Sequence, residues 1–476
     1  MTAAALPLVI QGGMGVAVSN WRLARAVAAM GQLGIVSGTA LDTVFVRRLQ
    51  DGDPCGAVRR ALAHFPKPEV AAEMLRRFFK PGGRAPGEPY AVLPMYRQAV
   101  STFRDRVTIA ANFVEVWLAK EGHHGRVGVN LLTKVQMPTL ASLYGAMLAG
   151  ADVVVMGAGI PREIPGALDM MAIHAPATLR MDVDGQPSDQ PVTLSFDPAA
   201  HGLTDVSLRR PDFYAIVAAH TLATNLARKA TGTVEGFVVE GPTAGGHNAP
   251  PRGTPQLNAR GEPVYGARDV VDLGAMRALG VPFWLAGGAG TAEGLEQARR
   301  EGAAGIQVGT AFAYSDESGF SADIKRRVLA AVAAGEISVR TDPIASPTGF
   351  PFKLIETASI AQQDDTRERL CDLGYLRTAA RGENGRLVYR CSAAPVRDYV
   401  NAGGTVENTA GRRCLCNGLM SAIGLGQLRK SGEVEPPLVT SGDSVRELAA
   451  VARGRLSYTA HDVLRYLLGE PPADLS

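Results

Sequence analysis

The residues best suited to chemistry in this chain lie in short glycine-rich stretches: QGGMG at 11–15, MGAG at 156–159, EGPTAGGHNAPPRG at 240–253, AGGAGT at 286–291 and QVGTAF at 307–312. In the third of these, His247 follows two glycines and precedes Asn and Pro-Pro, an odd setting for a packed core histidine. An imidazole titrates near neutral pH, so on such a loop it can take a proton from an acidic C–H or deliver one to a developing carbanion. AGGAGT opens a helical segment, and exposed N–H groups at a helix start beside glycines make a site for a phosphate. Gly287, Gly288 and Gly290 are its candidates, joined by Gln307, Gly309 and Thr310 from QVGTAF. The plain alternative, glycines that only ease turns, requires two such loops to coincide. Gly12, Gly13 and Met14, Gly157, and Gly245 and Gly246 offer backbone that a planar or anionic ligand can approach closely. His220, after a strand-like run, is a second titratable candidate toward substrate, with a packed strand-end histidine as the alternative.

These stretches must be held by regular elements. Eight short aliphatic runs, at 8–11, 34–37, 126–130, 152–156, 213–219, 236–240, 283–286 and 305–308, alternate with helical segments and are apolar almost throughout. That pattern suits parallel strands covered on both faces. The helices at 21–30, 140–149, 222–230, 273–279 and 292–302 repeat apolar residues three or four apart. Eight such units predict an α/β fold of the (β/α)₈ TIM-barrel type, with its site on the loops after the strands and phosphate at the last two. The barrel is expected over 1–335. A helical insertion is expected at 43–122, a β-hairpin insertion around Asp184-Gly185 at 176–200, and an α-rich C-terminal extension over 336–476.

The chain has 476 residues, 46% hydrophobic and 20% charged, which is material for a large buried core. A net charge of +3 without basic runs argues against nucleic acid as a ligand. The N-terminal stretch lacks the basic start of a secretory leader and no apolar run reaches membrane-spanning length, so a cytoplasmic protein without membrane partner is expected. Five cysteines are too few and odd in number for a disulfide scaffold. Four of them, Cys371, Cys391, Cys414 and Cys416, fall in the extension, where thiolates are the usual ligands of zinc or an iron–sulfur cluster. Cys-x-Cys is not the usual knuckle, so buried, unligated thiols are placed ahead of a metal.

Taken together, QGGMGVAVS at 11–19, GVN at 128–130, MGAGIP at 156–161, EGPTAGGH at 240–247, AGGAGT at 286–291 and QVGTAF at 307–312 resemble the nitronate monooxygenase family, formerly 2-nitropropane dioxygenases, and its relatives among flavin enoyl reductases. The resemblance spans most of 6–320. It implies that the phosphate site holds FMN, with Gly288, Gly290, Gln307, Gly309 and Thr310 near the phosphate and Gly12, Gly13, Met14 and Asn130 along the isoalloxazine ring. His247 would then be the catalytic histidine. Two activities follow: oxidation of alkyl nitronates with O₂ to a carbonyl compound and nitrite, or NAD(P)H-dependent reduction of an enoyl thioester, with an acyl carrier protein as a partner in the second case. An FMN-binding subunit of a synthase complex is the non-enzyme alternative, and a phosphosugar or nucleotide-precursor enzyme the rival on the same barrel. Oligomeric state is not readable from the sequence.

Overall fold

The computed structural model describes residues 5–360, 362–364 and 366–471. Eight parallel strands make one sheet: β1 (Val9–Gln11), β2 (Gly34–Ser37), β3 (Val127–Leu132), β4 (Val153–Gly157), β5 (Asp212–Val217), β6 (Gly236–Glu240), β7 (Phe283–Ala286) and β8 (Gly305–Val308). From β2 onward each pairs with the next in sequence, and β8 pairs with β1. The ring closes between β1 and β2 through a parallel bridge of Ile10 with Leu33, where the Gln11 N–H donates to Leu33 O at 2.9 Å. This is the (β/α)₈ barrel expected from the sequence.

Side-chain parity explains its interior. Alternate residues of a strand face opposite sides, so Ile10, Ile35, Val153, Val155, Tyr214, Val238 and Trp284 fill the barrel while Val9, Val36, Val154, Phe213, Phe237 and Ile306 pack the helices outside. Tyr214 stacks on Trp284 with ring centroids 4.8 Å apart, and the Trp284 indole N–H donates to Pro7 O, plugging the bottom.

The surroundings differ from the expected insertion and extension. The span 43–122 holds helices Ala57–Leu62 and Pro68–Phe78, but also Thr102–Lys120, which packs between the first barrel helix, Trp21–Ala29, and Thr139–Leu148, the place of a barrel helix. Antiparallel strands Ala177–Met181 and Val192–Phe196 bury alternate residues, while Val183–Asp184, between them, pairs with Thr378–Arg381 far along the chain. The α-rich extension expected over 336–476 is instead mixed. Val339–Asp342 pairs with Phe352–Ile355, and Thr378–Arg381 with Leu387–Arg390. These four-residue runs are too short to show a period of their own, and their strand state is set by partners elsewhere. The last helix, Ala460–Leu467, packs against Trp21–Ala29 and Ala292–Arg300 and completes the outer ring. Among the described residues no helix is long and apolar enough to cross a membrane.

Candidate active site

Above the apolar plug, the next inward-facing layer contributes one residue from each strand or its first exit position. Gly12, Ser37, Asn130 and Gly157 come from β1 to β4. Ile216, Glu240, Ala286 and Gln307 come from β5 to β8. All eight line a single cavity at the C-terminal end of the barrel, the end where barrels of this class carry their sites.

The first exit loop is tied down by its own side chains. Gln11 Nε2 donates to Ser19 Oγ at 2.8 Å, the Ser19 hydroxyl donates to Gly12 O at 2.7 Å, and the Met14 N–H donates to Ser19 Oγ at 3.0 Å. A Cβ on Gly13 would lie 2.2 Å from Asn130 Cβ, so only glycine lets these two exits meet. Asn130 lines the cavity, and its Oδ1 is buried without a hydrogen-bond partner among the described residues.

The exit of β7 presents a second unsatisfied surface. Gly287 and Gly288 hold φ of +86° and +79°, which glycine adopts without strain. The N–H groups of Gly288, Ala289 and Gly290 find no partner among the described residues. They precede helix Ala292–Arg300, capped by Thr291, whose side chain accepts from the Gly294 N–H. Successive free N–H groups at a helix start are the donor set a phosphate uses. The cavity wall contains no lysine or arginine, so an anion there would rest on backbone alone. Gln307, Gly309 and Thr310 from β8 lie on the same wall. An unpartnered amide oxygen at one end and a row of free N–H groups at the other fit the edge and the phosphate of a flavin mononucleotide.

His247 lies on the wall as well. Its Nε2 is 2.7 Å from Ser346 Oγ, which is 2.8 Å from Thr348 Oγ1, leaving Nδ1 without a protein partner. Phe350 and Phe352 meet the imidazole edge-on, with centroids 6.4 and 4.8 Å away. Burial among these groups pushes its pKa down to about 4, so at neutral pH the ring is uncharged. Ser346, Phe350 and Phe352 all belong to the extension. The extension also clamps the histidine loop and the β8 exit: the Lys353 N–H donates to Gly246 O at 2.9 Å and the Gly246 N–H to Thr440 Oγ1 at 3.0 Å, while the Gly442 N–H donates to Thr310 Oγ1 at 3.0 Å.

Residues 180–369 match the nitronate monooxygenase family model. The match takes in the histidine loop and both phosphate-site loops and ends inside the extension, in keeping with the resemblance read from the motifs. The motifs at 11–19, 128–130 and 156–161 lie outside it. A search of curated proteins finds no match. Similar solved structures include FabK from Thermotoga maritima (15% identity, 98% of this chain and 92% of that one, TM-score 0.46). Nitroalkane oxidase from Streptomyces ansochromogenes is similar at 14% identity, with 98% and 96% covered and a TM-score of 0.46. The enoyl reductase domain of MlnA from the macrolactin biosynthesis cluster of Bacillus amyloliquefaciens gives 11%, 98%, 94% and 0.47.

The candidates from sequence thus divide. Gly12, Gly13, Met14, Asn130, Gly157, Gly245, Gly246, His247, Gly287, Gly288, Gly290, Gln307, Gly309 and Thr310 converge on the cavity. His220 does not. It is the first residue of helix His220–Lys229 and interacts with Asp272, the cap of Leu273–Ala278, in the outer ring. The chain has already left β5 when it reaches this residue. Cys371, Cys391, Cys414 and Cys416 line one narrow apolar cavity within the extension, and burial raises all four thiol pKa values. Among the described residues no group of three or more His, Cys, Asp or Glu is placed to hold a metal ion.

Sequence reasoning passed over two wall features. The extension's residues, Phe352, Leu419, Thr440, Ser441, Gly442 and Ser444, carry no motif that announces them. Glu240 is different: it stands two residues beyond Val238 on a strand of known parity, so alternation places it on the inner face, on the cavity floor.

Proposed function

We propose that the chain is an FMN-dependent oxidoreductase of the nitronate monooxygenase type. Backbone N–H groups at 288–290 and the Gly309–Thr310 turn would hold the phosphate, and Gly12, Gly13, Met14 and Asn130 the ring edge. When bound, the flavin supplies the two-electron redox chemistry. The chain's own part is to orient the substrate beside the ring, keep bulk water out with the extension's aromatic residues, and move a proton at His247. The observation that carries this reading is the placement of His247: fixed through Nε2 by Ser346 and open at Nδ1, it presents an unprotonated ring nitrogen to the α-proton of a neutral nitroalkane. The substrate class is then an alkyl nitronate or its parent, oxidised with O₂ to a carbonyl compound and nitrite.

A second reading, NAD(P)H-dependent reduction of an enoyl thioester carried by an acyl carrier protein, is favoured by Glu240, an acid on the same floor. The two are separated by anaerobic mixing of the flavin-loaded protein with propionate 3-nitronate or with NAD(P)H while flavin absorbance is followed. Bleaching by the nitronate is expected. Bleaching by the nucleotide alone would replace the first reading with the second, and bleaching by neither would leave a flavin-binding subunit.

A further inference from the structure

Glu240 and His247 are the two ionisable side chains on the cavity wall. Among the described residues Glu240 has no hydrogen-bond partner, and no cation lines the cavity beside it. Its strand neighbour on β7 is Ala286, Ile216 of β5 stands opposite Val238 one inward position below, and the nearby titratable groups are His247 and Tyr265, neither of them positive at neutral pH. An inward barrel position needs bulk, not charge, and a partly buried carboxyl without a partner costs stability. Glutamine would fill the same space at less cost. An unpartnered carboxyl at such a position in a ligand cavity is suited to hand on the proton it carries.

We propose that Glu240 is the proton donor of this cavity. This rests on the alkene-reduction reading. Hydride reaching the β-carbon of an enoyl thioester, from a reduced flavin recharged by a nicotinamide nucleotide, breaks the C=C π bond and leaves its electron pair on the α-carbon. That carbon takes the proton of the Glu240 O–H, the O–H pair remains as a carboxylate, and solvent restores the proton. His247 cannot make this donation as an imidazolium, because its burial keeps it uncharged. Burial pushes the Glu240 carboxyl up to about 8, so it holds its proton at neutral pH.

The test uses Glu240→Gln in the flavin-loaded protein. The first readout is thermal unfolding. The wild type holds on a proton that the unfolded chain releases above about pH 4.5, so its stability declines as pH rises toward about 8. Glutamine removes that decline, and the Tm of the variant relative to wild type should be higher at pH 8 than at pH 5. An equal difference at both pH values would overturn the proposal. The second readout is reoxidation of the reduced flavin by crotonyl thioester. Wild type should slow as pH rises through about 8, and the variant should be slower by ~10²-fold or more with that pH dependence gone. A variant as fast as wild type with the same profile overturns the proposal alone. A wild type that reduces no enoyl thioester removes the underlying reading and the proposal with it.

Discussion

Two buried polar regions of this molecule meet opposite ends. On the cavity wall, Glu240 and His247 stand without ionic partners, and burial drives both to their uncharged forms. Between the insertion and the extension, Asp42 is buried more deeply than either, yet it stays ionised. Arg104 Nη2 lies 2.5 Å from Asp42 Oδ2, and the hydroxyls of Tyr96 and Tyr375 donate to the same carboxylate at 2.8 and 2.5 Å. Burial opposes the charge, but Arg104 and the two tyrosines outweigh it and hold the Asp42 pKa below its ordinary value. The difference shows that depth does not decide protonation here; the supply of partners does. A fully partnered charge fastens Leu41–Gln50 to Tyr375 of the extension. Unpartnered groups are left free to exchange protons with a ligand.

The contrast can be broken by substitution, beginning with the largest effect. His247→Ala should keep FMN and Tm nearly unchanged while turnover of neutral nitroalkane falls by ~10²–10⁴-fold; normal steady-state rates would remove the base from the wall. Asp42→Ala should do the reverse, costing about 3–5 kcal/mol in urea unfolding because Arg104 is left buried and uncompensated. Its pH signature sharpens the point. With the folded pKa lowered from 3.8, the Asp42 contribution is present above that value and lost as pH falls through the folded one, so the gap between wild type and variant should shrink in acid. Gly13→Ala should cost about 1–3 kcal/mol through the clash with Asn130 and should weaken FMN retention, measured by flavin content after dialysis. Ser346→Ala, which removes the His247 Nε2 partner, should cost about 1 kcal/mol, seen as a roughly tenfold drop in kcat/KM at unchanged flavin content.

The strands and the main site loops were legible in the sequence because their signals are local. An aliphatic run flanked by glycine reads as a buried parallel strand wherever it lies, and the glycines at Gly12, Gly13, Gly287 and Gly288 are needed by backbone geometry within a few residues. Glu240 was legible in principle through strand parity. His220 was misplaced because proximity to a strand end does not tell whether the chain has already turned onto an outer helix.

What the sequence determined alone is the (β/α)₈ barrel, its glycine-rich exits and a histidine among them. The tertiary structure alone decided that residues more than 90 positions away cover that histidine, that Ser346 fixes its Nε2, and that neither it nor Glu240 meets a counter-charge. Periodicity and glycine spacing are properties of neighbouring residues and survive in the linear chain. Desolvation and partner supply are sums over groups brought together from the whole fold, and those sums set which proton each side chain keeps.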